Sequence, residues 1–151
     1  MGTRRKAREV ALQVLFQIDI SKVDVHEAID LFWNNFKAPA NVKCFSTQLI
    51  KGTQMHLNEI DDFIKSCSEN WSLERMPVVD KSILRLAVYE LVYCKDIPPK
   101  VTLNEAIDMG KAYGSENSGS FINGILDALY TKICKKNESK DIIGTDRFSE
   151  L

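Results

Sequence analysis

Proline and glycine are scarce in this chain, with four prolines and seven glycines spread over 151 residues. That scarcity argues against a turn-rich β sandwich and leaves room for long helices. Histidine is rarer still: only His26 and His56 occur, and neither has a partner at ligand or triad spacing. A zinc site would need a His/Cys cluster such as H-E-x-x-H, and the chain has none. The phosphate loop G-x-x-x-x-G-K-[ST] and the G-x-S-x-G nucleophile elbow are also missing. Asp61 and Asp62 are neighbours, but on a helix they point about 100° apart and read as solvated surface. Cys44, Cys67, Cys94 and Cys134 never form a C-x-x-C pair. Their apolar, helix-patterned surroundings suggest small buried hydrophobes in a reducing cytosol. No apolar run approaches the ~20 residues of a membrane span, and the N-terminus has no stretch of signal-peptide length. The expectation is a cytoplasmic protein that is not an enzyme, with no catalytic residues, no metal and no cofactor.

The apolar fraction of 44% and charged fraction of 27% are ordinary for a soluble globular chain. A chain of this length buries roughly two-thirds of its unfolded surface, enough for a core without disulfides. Apolar residues recur at spacings of three and four almost throughout. A first helix is predicted from Arg4 to Asp19, with Thr3 as its cap and Ala7, Val10, Ala11, Val14, Leu15 and Ile18 as its core stripe. Asp24 and Glu27 open a second, with Ala28, Leu31, Phe32 and Phe36 as its face. A third begins near Asn41 and carries Val42, Phe45, Leu49 and Gly52. After a break around Leu57, a fourth presents Ile60, Phe63, Ile64 and Cys67. The polar stretch from Ser68 to Ser72 reads as a link between two halves.

Pro77 suits the first turn of a fifth helix. From Ile83 to Tyr93 that helix is apolar nearly all round, as befits the centre of a bundle. Pro98 and Pro99 stop it. Thr102 and Glu105 read as a capping box for a sixth helix, and Gly114 as its left-handed terminator. A seventh carries Phe121, Ile122, Ile125, Leu126, Leu129 and Ile133. The fold class is therefore all-α, about seven helices: an N-terminal subdomain over 1–70, a C-terminal one over 71–135, and a mobile tail over 136–151.

The net charge of −1 hides a cluster. Arg4, Arg5, Lys6 and Arg8 crowd the start, and arginine offers planar, bidentate phosphate recognition and stacks on bases. Helix dipoles disfavour cations at that end, consistent with a segment ordered by an anion. Near the other end, Lys111, Tyr113, Ser118 and Phe121 surround the loop before the last helix. Rings beside cations and hydroxyls suit single-stranded bases, although alone Tyr113 and Phe121 fit core packing more readily.

Four blocks carry a family resemblance. R-R-K-A-R-E-V-A-L-Q-V-L-F-Q (Arg4 to Gln17) resembles the opening signature of the NusB family. V-V-D-K-S-I-L-R-L-A-V-Y-E-L (Val78 to Leu91) and D-I-P-P-K-V-T-L-N-E-A-I-D-M-G-K-A-Y-G (Asp96 to Gly114) resemble its central and sixth helices. N-S-G-S-F-I-N-G-I-L-D (Asn117 to Asp127) resembles its last motif. The resemblance runs from about Arg4 to Ile133 and is weakest from Ser21 to Met76.

It implies two packed, roughly perpendicular three-helix bundles. It also implies an RNA-binding antitermination factor that, with the ribosomal protein NusE, binds single-stranded boxA RNA of nascent ribosomal-RNA transcripts. That pair would join the antitermination complex on RNA polymerase, the chain itself being a monomer or homodimer. By matching positions the resemblance assigns RNA contacts to Arg4, Arg5, Lys6, Arg8, Phe16, Lys111, Tyr113, Asn117, Ser118 and Phe121. It assigns the partner-facing surface to Asp80, Lys81, Leu84 and Arg85, with Glu74 nearby. Asn117 stands where many members have aspartate, and Ser120 where a basic residue is common. The first change should favour RNA or NusE binding, the second weaken the patch slightly. Two competing readings are a helical protein-interaction module without sequence-specific RNA binding and a nuclease. The NusB-like domain of ribosomal-RNA cytosine methyltransferases is also similar, but no G-x-G or catalytic cysteine motif follows, which argues against a complete methyltransferase.

Overall fold

The computed structural model describes the backbone of residues 2–68 and 71–148, and side chains as far as residue 134. Among the described residues every regular element is helical: α1 (Thr3–Ser21), α2 (Val25–Asn35), α3 (Ala40–Met55), α4 (Leu57–Cys67), a short 3-10 turn (Leu73–Arg75), α5 (Val78–Tyr93), α6 (Pro99–Tyr113) and α7 (Ser118–Phe148).

The expected stripe of α1 is buried in full, joined by Leu12, and packs on α3 and α5. Thr3 is the first helical residue rather than its cap. Gly2 holds the cap position and offers no side chain, so the Lys6 N–H donates to the Gly2 carbonyl. At the far end Lys22 adopts a left-handed conformation (φ 56°, ψ 28°) and donates its N–H to the Ile18 carbonyl. Asp24 caps α2 as its pattern predicts, its Oδ2 accepting from the N–H groups of His26 and Glu27. The core face of α2 differs from expectation. Ala28 and Ile29 are buried, whereas Leu31 and Phe36 are each 57% exposed. Phe36 lies just beyond the helix, where it stacks on Phe32.

Helix α5 packs against α1, α3, α4, α6 and α7, which is why it is apolar on all sides. Tyr89 of α5 crosses α3 at Gly52, where an added Cβ would overlap the tyrosine ring. Although α4 precedes the polar link, it packs chiefly on α5 and α7. Of the link itself, residues 69 and 70 lie outside the described residues. Pro77 sits one position before α5, its carbonyl accepting from the Lys81 N–H.

Helix α6 begins earlier than its supposed capping box, with Pro98 at the cap and Pro99 in the first turn. Proline fits there because the missing N–H would have no partner anyway. Thr102 and Glu105 are thereby freed for other work, described below. Gly114 is extended (φ −91°, ψ −164°), not left-handed. Its lack of a side chain serves close packing, since a Cβ would overlap the Ser118 side chain. Helix α7 continues to Phe148, so residues 136–148, expected as a tail, have helical backbone. Strong helix formers such as Lys135, Lys136, Glu138 and Lys140 favour this even where apolar periodicity is lost. Their side chains, and residues 149–151 altogether, lie outside the described residues.

Candidate nucleic-acid interface

The four cations at the start of α1 meet four different fates. Arg8 points inward and is 2% exposed. Its Nε and Nη2 fork onto the Glu90 carboxylate at 2.7–3.1 Å, and the Thr102 hydroxyl donates to the same carboxylate at 3.2 Å. A buried charge persists only when paired and hydrogen-bonded. This cluster ties α1 to α5 and α6, and Arg8 is removed from the arm on which the sequence placed it. Three residues after Arg5 it has already turned to the core face. Burial, and then the same carboxylate, pushes the buried Cys94 thiol up to about 11. Cys67 and Cys134 are partly buried and Cys44 is exposed, so burial is not shared by all four cysteines.

Arg4 is exposed, lies 4.6 Å from the Phe45 ring centroid, and pairs with Asp96 at 3.5 Å. Arg5 reaches across to α6. Its Nε and Nη2 donate to Glu105 at 3.0–3.3 Å, and Nη2 also donates to Asp108 at 3.0 Å. Lys6 is exposed, with no ion pair among the described residues. Between α1 and the start of α6 lies a recess of about 450 Å³ lined by Arg4, Arg5, Pro98, Val101 and Glu105, with the buried Arg8 at its floor.

One turn farther along α1, Glu9 accepts a 2.9 Å hydrogen bond from the hydroxyl of Tyr113, the last residue of α6. That bond, then burial, raises the tyrosine's pKa. Tyr113 is 48% exposed. With Phe16, Leu12, Gln13 and Val79 it lines a mostly apolar groove of about 240 Å³. The tertiary structure thus brings Phe16 and Tyr113, distant in sequence, to one slot beside the cationic end of α1. Lys111 is exposed, its methylenes lying where a Cβ on Gly119 would meet them at 3.0 Å.

Other expected contacts fall elsewhere. Ser118 is buried: its hydroxyl accepts from the Ser115 N–H at 2.8 Å and donates to Asp80 at 2.7 Å. Asp80 is 3% exposed and Leu84 fully buried, so neither faces a partner. Both lie on the sides of α5 that its neighbours enclose. Lys81 and Arg85 are used internally. Asp19 accepts from Lys81 at 2.9 Å and from Arg85 at 3.3 Å, while Arg85 forks onto Asp61 at 2.8 and 3.0 Å. Burial alone would raise the Asp19 carboxyl, but Lys81 and Arg85 outweigh it and hold the pKa below the usual value. Of the partner set, Glu74 is exposed. Its own backbone N–H chiefly holds its carboxyl below the usual range. Asn117 is exposed and its carbonyl accepts the Phe121 N–H, starting α7. Phe121 is half-buried, edge-on to Trp71 with centroids 6.3 Å apart.

Sequence reasoning missed two features. Trp71 is 51% exposed beside Phe121, and an exposed tryptophan in a polar link was a signal available to be read. Asp96, Glu105 and Asp108 stand opposite the arginine cluster, and nothing local announces pairings across some hundred residues. Among the described residues no group of His, Cys, Asp and Glu could hold a metal ion. Nor is any described helix long and apolar enough to cross a membrane.

The NusB family model matches residues 5–131. The transcription antitermination protein NusB of Syntrophus aciditrophicus (strain SB) is 57% identical over 150 residues, covering 99% of this chain and 93% of that protein. That of Desulfatibacillum aliphaticivorans is 45% identical, covering 93% and 98%. Among solved structures, T. maritima NusB is 40% identical with a TM-score of 0.78, covering 85% of this chain and 90% of that one. A crystal structure of the antitermination factors NusB and NusE with double-stranded RNA has a chain 29% identical, TM-score 0.79, covering 87% and 98%. With the all-helical fold and the four sequence blocks in place, this chain belongs to the NusB family of transcription antitermination proteins.

Proposed function

We propose that this chain acts in antitermination by binding RNA along the seam between the start of α1 and the α6–α7 region, without catalysing a reaction. In this reading it works in the bacterial cytoplasm, pairs with NusE and captures boxA-type RNA of nascent ribosomal-RNA transcripts. The pair then joins the complex on RNA polymerase. The observation that carries the reading is the recess at Arg4 and Arg5, with the Phe16–Tyr113 slot farther along α1 and the exposed Lys6 in the same first turns. Cations there would meet phosphates while the rings stack on bases. A relative crystallised with NusE and double-stranded RNA supports the association with NusE and RNA. Lys111, Asn117 and Phe121 extend this surface in the proposal. Arg8 and Ser118 act behind it, one holding α1 in place and the other the loop before α7. Glu74 is the remaining candidate for partner contact.

The test is fluorescence anisotropy with a short U-rich boxA-type RNA and a scrambled control, with and without NusE, at two salt concentrations. Tighter, sequence-selective binding in the presence of NusE is expected. Equal weak binding of both RNAs, unaffected by NusE, would reject the reading in favour of a helical interaction module. Phe121→Ala is expected to cost about 1–3 kcal/mol of RNA affinity if its ring stacks on a base. Loss of stability with unchanged affinity would instead mark Phe121 as a packing residue.

A further inference from the structure

The charge that marks the N-terminus in the sequence is cancelled in the fold. Arg4 faces Asp96, Arg8 faces Glu90, and Arg5 faces both Glu105 and Asp108. Around Arg5 the local sum is one positive charge against two negative ones. Arg5 can fork onto a phosphate by either of two edges: Glu105 fills the Nε–Nη2 edge, and Asp108 takes Nη2 from the Nη1–Nη2 edge. A carboxylate and a phosphate oxygen compete for the same donors in the same geometry. Glu105 is well placed to hold on, at 18% side-chain exposure, whereas Asp108 at 55% sits on the rim. A partly desolvated carboxylate pairs more strongly than an exposed one, because less water screens it.

We propose that Glu105 and Asp108 set the affinity threshold of the RNA surface, acting through Arg5 as a resident anion that incoming phosphate must displace. The proposal rests on the RNA-binding reading above. RNA binding at Arg5 is then an exchange of partners rather than the filling of a free site. An RNA held by phosphate contacts alone gains little from the exchange. One that also stacks bases in the Phe16–Tyr113 slot has further binding energy with which to drive it. The acidic ridge thus raises the binding energy an RNA must bring to engage Arg5. Lys6, unpaired among the described residues, remains the available charge for first encounter.

An alternative role for the acids is to hold Arg5 in the pose that phosphate needs, and it predicts the opposite sign. The experiment measures anisotropy of the scrambled and boxA-type RNAs against salt for the full chain, Glu105→Gln, Asp108→Asn, Arg5→Ala and the Arg5→Ala/Glu105→Gln double variant. Glu105→Gln is expected to tighten binding of boxA-type RNA about 3- to 10-fold and of scrambled RNA by no more, since only an RNA that engages Arg5 bears the displacement cost. It should also steepen the salt dependence by about 0.7 in log affinity per log salt, the contribution of one single-strand phosphate contact. Asp108→Asn, on the exposed rim, should act in the same direction more weakly. The gain must vanish when Arg5 is alanine. A gain of equal size without Arg5 would show that the acids merely repel RNA at a distance, overturning the proposal. Weaker binding in Glu105→Gln, or no change, would overturn it too. If Lys6→Ala weakens the parent chain while Glu105→Gln does nothing, RNA binding stands and the exchange fails. If the parent binds neither RNA at low salt, both fail together. Melting temperatures of the variants separate any folding defect from a change in affinity.

Discussion

The two ends of α1 carry mirror-image ion clusters. At the start, cations on α1 meet acids on α5, α6 and the segment joining them: Arg8 with Glu90, Arg5 with Glu105 and Asp108, Arg4 with Asp96. At the far end an acid on α1, Asp19, meets cations on α5, Lys81 and Arg85, with Asp61 of α4 closing the network. They differ in access. At the far end Lys81, Arg85, Asp19 and Asp61 are all 13–17% exposed, whereas the start grades from Arg8 and Glu90 at 3% and 2% to Arg4 and Arg5 at 53% and 41%. Charges packed between three helices fasten them together and have few donors left to offer. Charges paired at a rim can change partners. Having a partner does not decide whether a charged residue is structural; the depth of the pair does.

The deepest pair should show the largest effect. Glu90→Gln leaves Arg8 buried without a counter-charge and is expected to cost about 3–5 kcal/mol of stability in urea unfolding. A loss below about 1 kcal/mol would mean that the pair is not closed off from water. At the other end, Arg85→Met removes the charge-assisted bonds to Asp61 and Asp19. It should cost about 1–3 kcal/mol while leaving RNA affinity alone. A loss of NusE binding by folded Arg85→Met would restore that residue to a partner surface.

The acid limb of stability sharpens the same contrast. Because Asp19 is held below its usual pKa, its pairing stabilises the fold above the unfolded value near 4. That contribution disappears as pH falls through the lower folded value. Melting temperatures between pH 6 and pH 2 should show the drop in the parent chain, and a shallower one in Lys81→Met. Identical profiles would show that the network contributes little in acid. The smallest change in stability belongs to Lys6→Ala, expected within about 0.5 kcal/mol. The same variant should flatten the salt dependence of RNA affinity by about 0.7. An unchanged slope would remove Lys6 from the RNA path.

Much of the architecture was legible because it rests on periodicity. The stripe of α1 is buried in full, and α5 is buried from Ile83 to Glu90 save for partly buried Arg85, while Leu91, Val92 and Tyr93 in its last turn are only partly buried. Asp24 announced its helix because a cap acts within three residues. Errors arose where a local pattern was put to distant use. Thr102 and Glu105 have the spacing of a capping box, yet one serves the buried Arg8–Glu90 pair and the other holds Arg5. Gly114 has the composition of a left-handed terminator but is needed for the approach of Ser118. Leu31 lies at helical spacing from Ala28 yet is exposed, because α2 buries only Ala28 and Ile29, and Phe36 falls beyond the end of the helix.

By itself the sequence determined the all-helical class, the number of helices, the central place of α5 and the family, since hydrophobic spacing and short motifs are local properties. Tertiary structure decided which charges are free. A cation's availability depends on acids that arrive from the far half of the chain and on how much water remains between them. Four residues that look alike in R-R-K-A-R therefore become a buried strut in Arg8, a paired rim cation in Arg4, a clamped fork in Arg5 and an open charge in Lys6.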